Sequence, residues 1–439
     1  MNINSKRNGL RRLFLISLLG LMVFQSLNFA IYSSAEEATT GNSVIIMIGD
    51  GMGPEQVELG RLVEYGPDGK SIINEFPNEN TIGTDNINGW TTDSAASGTA
   101  ISSGIKTKNG RIGTNFDGSL NTTNILEIAE ENGYKTGIVA TCHITHATPA
   151  AFLAHNGDRG NYKEIAADIG QSGVDLIYSG GSSNDYFGTQ IDTIMNKGYN
   201  FIENKSEFLS VDSLSTVGLF NDGALPRERK RNITQIPSLS SMVEKSINLL
   251  DSSDSPFFLM VEGSQIDWAG HDNDPVYMAH QMIEFEKSVR VAKSYAEGKN
   301  DVQLLVTADH ECGGLQVGEY NFETGTPQED DSITQNRTKR TQRVNEIETS
   351  FSTGGHTGTE VPLVGMGPYT DRIADATHHL DTFDMMRLAI EGQTGPVGEG
   401  FYDGYFNPLW LYIPGGIAVL AVFGYITYVV VKKIKAKRQ

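Results

Sequence analysis

Residues 302–311 read Val-Gln-Leu-Leu-Val-Thr-Ala-Asp-His-Glu, a strand-forming run followed by a cluster of ionisable side chains. Such a continuous, mostly apolar run is typical of a strand buried on both faces, as in a parallel sheet with helices on either side. Ser43–Gly49 repeats the pattern and ends at Asp50. Because a charged group at the end of a buried strand needs a partner or a metal, the two runs predict a parallel sheet with chemistry at one edge.

Similar runs predict the rest of the sheet: Lys135–Thr141, Asp175–Tyr178, Pro256–Val261 and Val361–Gly365. Helical stretches lie between them: Thr123–Asn132, Ser238–Leu250 and Met278–Ala296. We therefore predict an α/β fold, a three-layer sandwich with a large, mostly parallel central sheet. Two polar stretches, Ser182–Asn232 and Tyr320–Ser352, are expected to be excursions from the sheet, the second a surface segment or flap.

Acids, histidines and a threonine follow four of these strands: Asp50; His143, His146 and Thr148; Glu262, Asp267 and His271; Asp309 and His310. The carboxyl ends of parallel strands share one edge, where such sheets bind ligands. Asp267 and His271 are four residues apart, so on a helical turn both side chains point the same way and suit a divalent metal. The pattern predicts a multi-metal site.

Taken singly, some of these features have simpler explanations. Asp50 lies between two glycines and could be an ordinary turn residue. His356 lies in a glycine-rich turn, where a surface histidine is the alternative. His378 and His379 stand in a polar context, and we interpret them as surface residues.

The stretch from Thr91 to Ala100 is rich in Ser, Ala and Thr and contains Ser94. Small residues let a backbone approach a ligand closely, and this stretch could open a helix whose N-terminal amides bind an anion. A serine without a nearby histidine base would need activation by a metal. A plain Ser/Ala-rich helix start is equally compatible with the composition.

The charge of the chain is uneven along its length. It has 34 Lys and Arg against 54 Asp and Glu, a net charge of −20, yet both ends are basic and apolar. The acidic middle argues against a nucleic-acid partner, because phosphate backbones are bound by clustered Lys and Arg.

Both ends predict contact with a membrane. Residues 1–35 have the layout of a secretory signal peptide, with an uncleaved anchor as the alternative. Residues 409–431 carry no charge, are long enough to span a bilayer and precede a basic tail, 432–439, that predicts a cytoplasmic C-terminus. We therefore expect an exported domain, 36–403, a linker, 404–408, and a single transmembrane helix that holds the domain at the cell membrane.

Six motifs, in this order, resemble those of the alkaline phosphatase family: Asp50–Gly53, Thr92–Ala96, Thr145–Ala150, Glu262–Asp267, Thr307–Glu311 and Gly355–Gly358. The resemblance covers the chain from about residue 43 to 390. It implies that the exported domain is a metal-dependent phosphomonoesterase that works through a phosphoserine on Ser94. It also implies two Zn²⁺ ions and one Mg²⁺ ion per chain, small phosphate monoesters as substrates and, as is common in the family, a homodimer.

The resemblance also assigns the ligands of each metal: Asp267, His271 and His356 in the first, zinc site; Asp50, Asp309 and His310 in the second, zinc site; and Asp50, Thr148 and Glu262 in the third, magnesium site. Arg159 matches the arginine that holds the phosphate, and Asp93 lies beside the nucleophile. His146 and Trp268 fall at positions that vary within the family, which leaves the third metal's identity open. A related phosphodiesterase or sulfatase is the alternative enzyme, and a non-catalytic metal-binding surface protein is the alternative from another class.

Overall fold

The computed structural model describes residues 41–328 and 331–392. Its strands are, in chain order, β1 (Ser43–Gly49), β2 (Asn78–Ile82), β3 (Lys135–His143), β4 (Leu176–Gly180), β5 (Asn200–Ile202), β6 (Thr216–Leu219), β7 (Phe257–Gly263), β8 (Val302–Thr307), β9 (Glu311–Cys312), β10 (Leu315–Tyr320), β11 (Ile347–Phe351), β12 (His356–Thr357) and β13 (Val361–Met366).

Its α-helices are α1 (Pro54–Tyr65), α2 (Ser94–Ser103), α3 (Ile125–Glu131), α4 (Ala147–Ala150), α5 (Tyr162–Gln171), α6 (Ile191–Asn196), α7 (Lys205–Ser210), α8 (Leu239–Asp251), α9 (Gln265–His271), α10 (Pro275–Ala296), α11 (Ile333–Val344) and α12 (His379–Glu391).

The central sheet has nine strands in the order β2-β13-β8-β1-β7-β3-β4-β6-β5. The seven strands from β8 to β5 are parallel, whereas β13 is antiparallel to both of its neighbours, so the sheet is mixed. Ile48 of β1 is level with Thr307 of β8 and with Glu262 of β7. The carboxyl ends of these adjacent strands therefore meet at one edge, as the sequence predicts.

Helices cover both faces of the sheet. Every residue of β7 and β8 is buried, and alternate residues of a strand point to opposite faces. Helices α1, α8 and α10 pack together, with α10 on β1, β7 and β8, while α2, α3 and α12 form a second group, with α12 on β1 and β8. The predicted α/β fold with a large central sheet is confirmed.

The polar stretch 182–232 is not an excursion from the sheet, and that prediction was wrong. It contributes β5 and β6, which extend the sheet beyond β4. These strands have only three and four residues and β5 is partly exposed, so neither shows a long apolar run in the sequence. Most of the described residues between 320 and 352 are at least partly exposed, as predicted, but this polar stretch also contains α11 and β11, and Arg343 and Val344 in it are buried.

Both ends of the described domain lie together. The backbone N–H of Asn42 donates to the carbonyl of Ala389 at 2.9 Å. The hydroxyl of Tyr134 lies 3.1 Å from the carbonyl oxygen of Asn42 and 3.2 Å from that of Ile390. Asn42 immediately precedes β1, so both ends leave from the amino-terminal edge of the sheet, opposite the edge where the acids and histidines gather.

Within the described residues, no helix is long and apolar enough to cross a membrane. The segments predicted as a signal peptide, a linker, a transmembrane helix and a basic tail lie outside those residues.

His280, on α10, makes the folded state sensitive to acid. Burial lowers the pKa of His280 to about 3, and the charge of Arg340 contributes. An unfolded histidine titrates near 6.5, so unfolding takes up a proton at any pH between these values, and stability falls as the pH falls through this window. His280→Gln keeps a hydrogen-bond donor for the hydroxyl of Thr341, which lies 3.2 Å from the ring nitrogen, and removes this titration.

We expect the loss of unfolding free energy between pH 7.5 and pH 5 to be about 2 kcal/mol smaller in His280→Gln than in the unmodified protein. Urea denaturation of both proteins at the two pH values measures it. The difference in unfolding free energy between the two proteins at pH 7.5 reports altered packing alone and serves as the control. An equal loss of unfolding free energy in both proteins would contradict the lowered pKa of His280.

Candidate active site

Ser94 is the first residue of α2, at the carboxyl edge of the sheet. The preceding Asp93 caps the helix, because one of its carboxylate oxygens accepts a hydrogen bond from the backbone N–H of Ala96 at 3.0 Å. The Ser94 side chain is buried, and its Oγ lies 3.3 Å from Nε2 of His310. The helix start predicted from the small residues is confirmed, and it brings a hydroxyl to the predicted second metal site.

Arg159 is held beside Ser94 by Asp93. The second Asp93 oxygen accepts from Arg159 Nη1 at 3.0 Å and from the backbone N–H of Gly110 at 2.9 Å. The other guanidinium nitrogen, Nη2, donates to His146 Nε2 at 3.3 Å. Burial alone would lower the pKa of Arg159, but the Asp93 charge outweighs it and raises the pKa, so the guanidinium stays positive. A fixed planar cation of this kind suits the oxygens of a phosphoryl group.

The residues of the first site, Asp267 and His271 on α9 and His356 on β12, come together as predicted. Asp267 Oδ2 lies 3.3 Å from His271 Nε2, Asp267 Oδ1 lies 3.3 Å from His356 Nε2, and the two histidine nitrogens are 3.3 Å apart. Donor atoms about 2.0–2.1 Å from a tetrahedral zinc are separated by about 3.3–3.4 Å. The Nδ1 atoms lie 2.7 and 2.9 Å from the carbonyls of Gly354 and Thr92, which orients both Nε2 atoms toward the site.

The second site joins the ends of β1 and β8. His310 Nε2 lies 3.2 Å from Asp309 Oδ2 and 3.7 Å from Asp50 Oδ1. The other Asp309 oxygen accepts from the backbone N–H groups of Gly51 and His310 at 3.1 and 3.0 Å, which fixes the carboxylate. Burial lowers the pKa of His310 to about 3, so its ring is neutral and can offer a lone pair to a metal.

The third site lies between β7 and α4. Glu262 Oε2 accepts from Ser264 Oγ at 2.7 Å and from Cys142 Sγ at 3.2 Å. Thr148 is buried in α4, and His146 immediately precedes that helix. The possible ligand atoms of Cys142, His146 and Glu262 all lie within 4.8 Å of one another. The first two sites therefore bring together the residues that the sequence predicts, and at the third the group around Glu262 contains Cys142 and His146.

A set of buried oxygens at these sites makes no hydrogen bond within the part of the chain that the structure describes: Asp50 Oδ1 and Oδ2, Thr148 Oγ1, Glu262 Oε1, Asp267 Oδ1 and Asp309 Oδ2. An unsatisfied buried acceptor costs about 1–3 kcal/mol, and a charged one costs more. Divalent cations bind such oxygens and offset their charge, so the residues fit the metals that the resemblance implies.

The pKa values of the carboxylates also agree with metal binding at these sites. Burial raises the pKa of Glu262 to about 7 and that of Asp309 to about 6, and neighbouring carboxylates add to both shifts. Burial and the charge of Asp309 hold the pKa of Asp50 well above its usual range. Hydrogen bonding to Asp267 raises the pKa of His271 to about 9. Protons and metal ions therefore compete for the same oxygens and nitrogens.

Glu311, the last residue of the fifth motif, holds a loop: its carboxylate accepts from Gln56 Nε2 at 2.6 Å and from the backbone N–H of Gly314 at 2.9 Å. The surface interpretation of His378 and His379 was wrong, since both are buried. His379 Nε2 lies 2.9 Å from the carbonyl oxygen of Asp309 and so helps to hold the backbone of that second-site residue in place.

Trp268 and the two cysteines of the chain complete the description of the site. Trp268 is half-buried, and its ring meets that of His146 edge-on, with centroids 5.9 Å apart. Cys142 and Cys312 are both buried free thiols.

Comparisons with known proteins agree with the site. The sequence profile of the alkaline phosphatase family matches residues 41–331. Alkaline phosphatase 3 of Bacillus subtilis (strain 168) is 32% identical, with 83% of this chain and 94% of that protein covered.

Solved structures of the same family also superpose on this fold. The alkaline phosphatase of the Antarctic bacterium TAB5 is 30% identical, with a TM-score of 0.67, over 82% of this chain and 100% of that one. A mutant of the TAB5 enzyme with Mg bound in the M3 site is 32% identical, with a TM-score of 0.66, over the same shares of both chains. The chain therefore belongs to the alkaline phosphatase family and is a metal-dependent phosphomonoesterase.

Proposed function

We propose that the chain hydrolyses phosphate monoesters in two steps through a phosphoserine on Ser94. The observation that carries the proposal is the position of the Ser94 hydroxyl at the start of α2, 3.3 Å from His310 Nε2. The residue before Ser94 is Asp93, whose carboxylate holds Arg159. A nucleophile, a cation for the phosphoryl oxygens and the predicted metal ligands thus share one edge of the sheet.

In the first step, Ser94 Oγ attacks phosphorus, an Oγ–P bond forms, and the bond from phosphorus to the ester oxygen breaks. The alcohol leaves with a proton. In the second step, water attacks phosphorus, the Oγ–P bond breaks, and inorganic phosphate leaves as Ser94 regains its proton. Arg159, fixed by Asp93, binds the non-bridging oxygens in both steps.

We propose two Zn²⁺ ions, one held by Asp267, His271 and His356 and the other by Asp50, Asp309 and His310. Mixed nitrogen and oxygen donors are typical of zinc. When bound, the ions lower the pKa of the attacking hydroxyl and neutralise developing negative charge. Within this chain, the carbonyl groups of Gly354 and Thr92 orient the first-site histidines for that task.

We propose Mg²⁺ for the third site, where Asp50, Thr148 and Glu262 offer oxygen atoms. The TAB5 mutant with Mg bound in its M3 site has a histidine replaced by aspartate, so it supports Mg²⁺ at a third site that offers oxygen ligands. His146 and Cys142 lie near Glu262 and add nitrogen and sulfur, which Mg²⁺ does not prefer. Elemental analysis of the purified protein identifies the metal.

A comparison of three substrates tests the reaction. We expect the purified protein to turn over p-nitrophenyl phosphate far faster than bis-p-nitrophenyl phosphate or p-nitrophenyl sulfate. The reason is charge: a phosphate monoester is a dianion at alkaline pH and is held by Arg159 and the bound cations, whereas the diester and the sulfate are monoanions. Faster turnover of the diester or the sulfate would favour the related phosphodiesterase or sulfatase instead, and metal binding without any turnover would favour a non-catalytic surface protein.

We also propose that residues 36–403 act outside the cell, after export by residues 1–35, and that residues 409–431 hold them at the cell membrane. The basic residues at both ends and the uncharged run support this placement. The same monoester assay on intact cells tests it, since an internal enzyme would act only after lysis. A homodimer, expected from the family resemblance, stays a prediction.

A further inference from the structure

Cys312 lies among the residues of the first site, although none of the six motifs assigns it a role. Its Sγ and the ligand atoms of Asp267, His271 and His356 all lie within 4.8 Å of one another. The cause is the pairing of β9 with β12, in which Cys312 is directly opposite His356. Residues directly opposite on antiparallel strands point their side chains to the same face. The Cys312 thiol and the His356 imidazole therefore lie on the same face of this strand pair.

The backbone of Cys312 is firmly held. Its N–H donates to the carbonyl of Gly51 at 3.2 Å, and its carbonyl accepts from Gln56 Nε2 at 2.9 Å. Gly270 of α9 packs so closely that a Cβ there would lie 2.7 Å from the carbonyl oxygen of Cys312 and 2.9 Å from its Cβ. The α9 helix that carries two of the ligands is therefore packed directly against Cys312.

The thiol lies on the buried side of the site. The Cys312 residue is 0% exposed, whereas the His271 side chain is 42% exposed. Solvent therefore reaches the first site from the side of His271. A ligand bond from the buried side would leave that approach open, since zinc can expand to five ligands during a reaction.

We propose that Cys312 is a fourth protein ligand of the first metal, in addition to Asp267, His271 and His356. This inference rests on the proposed metal-dependent function and concerns one residue within it. On binding, a metal–sulfur bond forms and the thiol proton is released to solvent. An Asp-His-His-Cys set favours cations that accept sulfur, such as Zn²⁺ or Co²⁺, over Mg²⁺.

Cobalt(II) substitution of the full-length protein tests the proposal. A bound thiolate gives a sulfur-to-cobalt charge-transfer absorption in the near ultraviolet, whereas nitrogen and oxygen ligands do not. We expect this absorption in the unmodified protein, its loss in Cys312→Ser and its retention in Cys142→Ser, the matched change of the other buried thiol. We also expect Cys312→Ser to weaken zinc affinity about 10-fold or more in competition with a chelator.

The outcomes separate this inference from the proposed function. Cobalt bound without the absorption, or an absorption that disappears in Cys142→Ser instead, would overturn the role of Cys312 alone. No cobalt binding at all would overturn the metal sites themselves. X-ray absorption of the zinc-loaded Cys142→Ser protein, in which Cys312 is the remaining thiol, decides the matter if Cys312→Ser fails to fold: sulfur at about 2.3 Å from zinc supports the proposal, and its absence refutes it.

Discussion

Ser94→Ala is expected to lower the turnover of phosphate monoesters by a factor of about 10³ or more, because it removes the hydroxyl that is proposed to accept the phosphoryl group. Metal content should stay near that of the unmodified protein. Alanine suits the start of a helix, and the Asp93 carboxylate keeps its contacts with the backbones of Ala96 and Gly110 and with Arg159. Steady-state kinetics with p-nitrophenyl phosphate, together with elemental analysis, measure both effects.

Ser102→Ala is the matched control for this variant. Ser102 is a buried serine in the same helix, and its Oγ contacts that of Ser103, at the end of α2 away from the site. We expect its turnover to stay close to that of the unmodified protein. Turnover by Ser94→Ala at the level of Ser102→Ala would refute Ser94 as the nucleophile.

Removal of divalent cations with EDTA is expected to abolish turnover, and zinc with magnesium is expected to restore it. The buried carboxylates of Asp50, Glu262 and Asp309 lie close together and repel one another unless protons or cations neutralise them. Dialysis, elemental analysis and an activity assay before and after the addition of each metal measure the effect. EDTA saturated with zinc in advance is the control for effects of the chelator itself.

The same carboxylates set the direction of the pH dependence of metal retention. Their raised pKa values mean that protons bind them in the absence of a cation at pH values below about 7 for Glu262 and about 6 for Asp309. Metal affinity should therefore fall as the pH falls through this range, and dialysis against metal-free buffer should remove more metal at pH 6 than at pH 8. Full turnover by protein in which elemental analysis detects neither zinc nor magnesium would refute the metal-dependent reaction.

The central strands and the ionisable residues gathered at their ends were predictable from the sequence. Strands β1 and β8 have the predicted bounds because a long apolar run that is buried on both faces is a strong local signal. The edge strands β2 and β5 were missed. Both are short and partly exposed, so packing of their neighbours, rather than their own composition, defines them.

Contacts between distant parts of the chain explain the remaining differences at the site. His379 stands in a polar stretch but is buried behind Asp309, 70 residues away in the chain. Cys312 meets His356 only because β9 pairs with β12, two strands of two residues each. Neither pairing leaves a local pattern, since the residues that cause the burial lie elsewhere in the chain.

The hydrogen bonds among Asn42, Tyr134 and the last turn of α12 have a practical consequence for handling the enzyme. Attachments at either end of the described domain leave it from the edge of the sheet opposite Ser94. The seven residues of β1 span about 23 Å between those edges. A bead, a reporter domain or an affinity tag joined there would lie about one strand length from Ser94. The active site of the immobilised enzyme would therefore stay accessible to substrate.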